Sequence, residues 1–388
     1  MAPDDPTSDR VWPETGLWAA SFRVMFPLAA LWAALAVGLW QWGGLVWPNL
    51  ELTVGWHVHE MSFGFGGAAL AGYALTACSS WTGRAPVGGW RLMWLAGLWV
   101  VVRIALLTPL EMADWVAAIA SLAFFWTIAA LLVHEMRRGG KGVRPFLVLF
   151  CGIAGIGSAL WIIALSGGAQ PGSIWPVLGF ALLLSAIGSR MVPAFLAAAS
   201  ASGRQDSPPV PVWITGVATG FLIGGAFALF AGLRGMAAAL IALAALAMVA
   251  QILRWPWRPV ARDGLLAMLG AAFLWLPAGL FLLAGHVPAG WVTLAVASHV
   301  LMMGAMGGLV MAVSSRAFAR RVSGRLRARR PMLPAFALIA LSVPLRLFGA
   351  LDLAAGVWIA GWVLYLAMSL FRLGGPVPRP VFSGARDR

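Results

Sequence analysis

Long uncharged apolar runs recur along the whole chain, separated by short stretches that carry nearly all of its charge. A helix needs ~20 residues to cross ~30 Å of hydrocarbon, and twelve runs approach or exceed that length. They cover roughly 17–41, 49–79, 88–107, 113–134, 144–165, 174–200, 210–232, 235–253, 262–284, 289–314, 332–350 and 353–373. Within a bilayer every backbone N–H and C=O must be satisfied by the protein, and a helix does this within each segment. The pattern predicts an all-α polytopic membrane protein with about twelve spans. Residues 1–16 and 374–388 form polar tails on either side of a membrane domain over 17–373.

Composition agrees: the 388 residues are 61% hydrophobic and only 10% charged, too little polar surface for a soluble fold of this length. A net charge of +14 would suit a nucleic-acid partner, but the placement of the basic residues argues against one. Arg84, Arg91, Arg137, Arg138, Lys141, Arg144, Arg204, Arg254, Arg258, Arg262 and the cluster Arg316 to Arg330 fall in loops on one side, with Arg234 essentially alone on the other. A bilayer sorts basic residues in this way, which puts both termini in the cytoplasm. Glu51, Glu111, Asp114 and Asp352 then lie at the outer rim. The loop 315–331, with seven arginines, reads as a positive-inside anchor touching anionic lipid. The acidic start Met1-Ala2-Pro3-Asp4-Asp5 is unlike a cleavable signal peptide. Cys78 and Cys151 lack metal-type spacing and read as small packing residues. The 22 tryptophans suit interfacial belts.

Against this background the string His57-Val58-His59-Glu60-Met61 stands out. Two of only five histidines sit there beside a carboxylate, inside the second span. Ionisable groups in hydrocarbon are costly and usually functional. Residues two apart point about 200° apart on a regular helix, so His57 and His59 do not easily grip one metal. His57 and Glu60, three apart, share a face.

The tenth span carries a related pattern. Laying His59 on His299 without a gap puts Pro48 on Pro288, Thr53 on Thr293, Gly64 on Gly304 and Gly67 on Gly307. Arg103 late in span three likewise resembles Arg346 late in span eleven, with Asp114 and Asp352 opening the next spans. Eight spans preserve orientation, which suggests three parallel four-helix repeats whose middle copy lacks the histidine. Multispanning proteins often arise by such duplication.

On this scheme His59 faces His299 across two helices, a usual way to hold a b-type haem. Arg103 and Arg346 would suit its propionates. Copper is an alternative, since histidine and methionine both bind it and Met61, Met302, Met303 and Met306 lie nearby; His57 and Glu60 could form a second metal or proton site. The glycine strip after each histidine allows close helix approach or makes room for a macrocycle. The whole set could also be a buried network that only fixes packing. Arg190, in span six, is a further intramembrane cation; His286 reads as a water-facing loop residue and His134 as interfacial.

Trp56-His57-Val58-His59-Glu60-Met61-Ser62-Phe63-Gly64-Phe65, with Trp81-Thr82-Gly83-Arg84 after it, closely resembles the NnrS family of bacterial membrane proteins. Phe22-Arg23, Gly188 to Phe195, and His299 with Gly304 to Gly308 continue the resemblance along nearly the whole chain. Where the family often has His-Thr-Gly-Arg, this chain reads Val322-Ser323-Gly324-Arg325. The resemblance implies an inner-membrane protein containing haem and copper and linked to denitrification and the nitric oxide response. It carries the family's histidine motif onto His57, His59, Glu60 and His299. The competing expectation is a proton-coupled transporter using the same intramembrane His, Glu and Arg residues. Neither an electron donor nor a catalytic residue is legible.

Overall fold

The computed structural model describes residues 15–47, 52–199, 212–323, 325–378 and 381–382. All twelve expected spans form helices. They are α1 (Ser21–Val46), α2 (Val54–Thr82), α3 (Trp90–Ala105), α4 (Glu111–Arg138), α5 (Pro145–Ser166) and α6 (Ile174–Ala199). Then come α7 (Val212–Phe230), α8 (Arg234–Leu253), a short unexpected helix α9 (Trp257–Arg262), α10 (Gly264–Ala289), α11 (Leu294–Ala317), α12 (Met332–Leu347) and α13 (Leu351–Leu370). Ten are long and apolar enough to cross a membrane; α3 and α12 have only 16 residues each. The chain is therefore an all-α multi-pass membrane protein. Pro48, Glu51, Arg204 and Gly324 lie outside the described residues, as does the Glu111 side chain.

The inferred duplication reappears in the local structure of α2 and α11. Each begins with a threonine N-cap: Thr53 accepts from the Trp56 N–H and Thr293 from the Val296 N–H. Each then runs for six α-helical residues, Val54–His59 and Leu294–His299, before widening into a π segment, Glu60–Gly66 and Val300–Gly307. π segments are rare and favour functional sites. A pair of them following two aligned histidines is hard to reconcile with chance similarity. The two short helices α3 and α12, each with an arginine near its end, occupy equivalent places. In the middle unit α6 continues without a π segment through its described length.

The glycines after each histidine allow helices to approach closely. A Cβ at Gly67 would lie 2.9 Å from Phe125, at Gly304 2.7 Å from Trp275, and at Gly307 2.6 Å from Trp358. The protein's own aromatic rings thus fill the space that a macrocycle would otherwise need along the strip. Tryptophans are also not confined to belts. Trp358 and Trp362 are buried, and the Trp358 N–H donates to the Ala33 carbonyl of α1 at 2.8 Å.

At the end of the bundle where Gly16 and Gly375 meet Arg23, the basic loop is more than an anchor. Arg320–Val322 and Arg325–Arg327 form a two-stranded hairpin whose turn residue Ser323 has φ 47°. Arg316 donates to the Phe382 carbonyl and Arg321 to that of Val381. Buried Arg23 of α1 donates to the carbonyls of Gly16, Gly375 and Pro376. The Phe382 ring stacks on Tyr73 at 5.8 Å. These contacts strap the C-terminal segment across α1 and α2.

Overpacking a filled interior typically costs about 1–3 kcal/mol. Gly307→Val should lower the thermal midpoint measured by tryptophan fluorescence in detergent, because Trp358 must leave its place and its bond to α1. Gly97→Ala, which meets no neighbouring atom within 4 Å and replaces a poor helix former by a good one, should not lower the midpoint.

Candidate functional site

Two adjoining clusters form where α2 meets α3, α5 and α11. The first centres on Glu60, the opening residue of the α2 π segment. Glu60, His59 and Arg103 are all buried. The Arg103 guanidinium of α3 meets Glu60 Oε2 at 2.9 Å, and His59 Nδ1 lies 2.7 Å from Glu60 Oε1. His59 Nε2 is 2.8 Å from Ser158 Oγ of α5, which is 2.6 Å from Ser121 Oγ of α4. The tautomer that suits this chain has His59 Nδ1–H donating to the carboxylate and Ser158 donating to Nε2, with Ser121 donating to Ser158.

Arg103 also lies over two indoles, 5.1 Å from the Trp99 ring and 5.7 Å from the Trp32 ring. Desolvated cation–π contacts contribute ~2 kcal/mol, comparable with the roughly 2.5–3.5 kcal/mol cost of an arginine at the membrane centre. Trp99 N–H donates to the Gly64 carbonyl within the π segment. Gly64 must be glycine, since a Cβ there would lie 2.9 Å from both Arg103 Nη1 and Trp32 Nε1.

The second cluster is the imidazole pair, and it differs from the pairing expected from the repeat. His57, not His59, stands opposite His299, with ring centres 6.4 Å apart and planes inclined by only 19°. Trp40 of α1 stacks on His57 at 5.0 Å. His299 Nδ1 is 2.6 Å from the Ala295 carbonyl, so that nitrogen donates and Nε2 keeps its lone pair. His57 Nδ1 is buried with no hydrogen-bond partner. Arg346 of α12 is close enough to act electrostatically on both rings.

The reason for the exchange is charge. Glu60 needs a cation, and its partner Arg103 sits on α3; adjacent His59 is drawn into that network through both ring nitrogens. His57, pointing away from His59, is left facing α11. The expected His57–Glu60 pair likewise does not form. In the repeat, Ala297 occupies the position equivalent to His57.

Other candidates fall elsewhere. Arg190 is exposed on α6. His286 lies within α10, its Nδ1 2.8 Å from the Val292 carbonyl. His134 is 3.9 Å from Glu135, which is also paired with Arg84 and Arg91. Cys78 and Cys151 are buried and free. Ser121, Ser158, Trp32, Trp40 and Trp99 were not picked out from the sequence. Ser121 and Ser158, each a lone hydroxyl among apolar neighbours, offered the only signal there. Among the described residues no three His, Cys, Asp or Glu side chains gather closely enough to hold a metal ion.

A family model for the NnrS protein matches residues 16–376, nearly the whole chain. The chain belongs to the NnrS family. No curated protein matches it. The match spans both π segments and every residue of the two clusters.

Breaking a buried ion pair by removing one partner costs about 3–5 kcal/mol, because the other charge is left uncompensated. Glu60→Gln should therefore destabilise the protein strongly in a chemical or thermal unfolding assay. Adding Arg103→Met should recover part of the loss. A double variant no more stable than Glu60→Gln alone would contradict the pairing.

Proposed function

We propose that this NnrS-family chain is a haem-binding membrane protein of the nitric oxide response, with the iron held between His57 of α2 and His299 of α11. The observation that carries the reading is the near-parallel imidazole pair with ring centres 6.4 Å apart. Two imidazoles sharing one metal, each at a metal–nitrogen distance of about 2 Å, have ring centres roughly 6 Å apart. The donor atoms suit this: His299 Nε2 is free because Nδ1 is engaged, an arrangement common for metal-bound histidine, and His57 has an unpartnered buried nitrogen. Arg346 beside the pair is the cation available to a propionate, whereas Arg103 is committed to Glu60.

When bound, the haem iron would supply a site for nitric oxide or a one-electron store. The protein's own part is to hold the two rings near-parallel and close together, brace His57 with Trp40 and keep the charge of Arg346 nearby. A copper ion between the same imidazoles is the variant reading of this site. Met302 and Met303 are half-buried in the adjoining π segment.

The buried Glu60–His59–Ser158–Ser121 chain favours a second reading, proton-coupled transport, in which Glu60 takes up and releases the proton. Placement in the bacterial inner membrane with cytoplasmic termini is supported by the one-sided distribution of arginines. Fluorescent protein fused after Arg388 should accordingly be bright, and alkaline phosphatase at that point inactive.

Absorption spectroscopy of protein purified after expression with ample haem tests the main reading. A sharp reduced b-type band should appear, be lost in His57→Ala and His299→Ala, and persist in His59→Ala. A colourless protein, or a band lost only with His59, would overturn the assignment. Counterflow in proteoliposomes that depends on Glu60, in a protein without haem, would favour transport instead.

A further inference from the structure

Between the two π segments lies a cavity of about 70 Å³ that neither histidine cluster uses. Gly66 of α2 and Met306 of α11, both in π segments, form one wall, and Phe180 and Gly188 of α6 face them, with Leu309 and Tyr73 below. The lining has no charged side chain, and its only side-chain hydroxyl is that of Tyr73. A buried water needs two to four polar partners, and apolar cavities of this kind stay dry and take up apolar guests.

Its surroundings define the guest further. On one side Leu184, Ile187 and Val310 are only half-buried, so the cavity approaches the lipid-facing surface between α6 and α11. Towards the chain ends it is closed by Tyr73 and Phe26, both in ring contact with Phe382 of the C-terminal strap. Towards the other end Phe180 touches Phe63, which touches the ring of His59. A molecule here must arrive through hydrocarbon, carry no charge, need no hydrogen bonds and be very small.

We infer that this cavity is a binding site for a single small uncharged apolar molecule, the size of a diatomic gas, that enters from the lipid and is separated from His59 by two aromatic rings, Phe180 and Phe63. The site is independent of any metal at His57 and His299. Dioxygen and nitric oxide share the required chemistry, and xenon reports on it without reacting.

Crystals of the full chain pressurised with xenon test the inference directly. An anomalous peak is expected between Phe180, Met306 and Leu309, and Ala69→Leu, which fills the cavity from α2, should abolish it. If that variant does not fold, Val310→Phe at the half-exposed edge serves the same purpose. No peak at this place in the wild type, a peak that survives filling, or a lipid or detergent chain occupying the cavity would each overturn it. A haem spectrum lost or kept does not bear on this outcome, so the two readings fail separately.

Discussion

The arrangement rests on one costly feature, a carboxylate and a guanidinium buried together inside a membrane bundle. Glu60 and Arg103 are on different helices, and neither is tolerable in that environment without the other. Their pairing fixes how α3 stands against α2. It also recruits neighbouring His59 on α2, Ser158 and Ser121 on two further helices, and two indoles over the guanidinium. Because His59 is committed to this network, His57 is the histidine free to face α11. The geometry of the imidazole pair is thus a by-product of where the charge had to go.

The π segments act with this pairing. A shift from i→i+4 to i→i+5 bonding rotates everything beyond it relative to an ideal helix. In α2 the shift begins at Glu60 itself, so an estimate of facing residues from regular α-helical angles holds up to His59 and fails after it. In α11 the equivalent shift begins just after His299. Duplicated units have kept the same backbone irregularity while their side chains diverged: one has His, His and Glu, the other a single histidine.

Much of the fold was legible because bilayers impose simple rules. Helix number, approximate boundaries and the relation between α2 and α11 all followed from apolar runs, glycines and one aligned histidine. The hairpin in the basic loop was not, because its strands are three residues each and mostly arginine. For the site, His57, His59, Glu60, Arg103 and His299 could be named, but their partners could not. Choosing between His57 and His59 required knowing on which side of α2 Arg103 stands, and the chain's local pattern does not contain that. Trp40, one of 22 tryptophans, had nothing in its neighbourhood to distinguish it.

The strap at the chain ends has a consequence for biosynthesis. Arg23 lies in the first helix, yet two of its three carbonyl partners, Gly375 and Pro376, and the aromatic neighbour of Tyr73, Phe382, come after α13 in the sequence. Until those residues have been made, that arginine lacks two acceptors and the first helices lack a closing contact. This contact can therefore close only after every helix between α1 and the strap has been made, and a product terminated before Gly375 would hold an arginine in α1 without two of its acceptors.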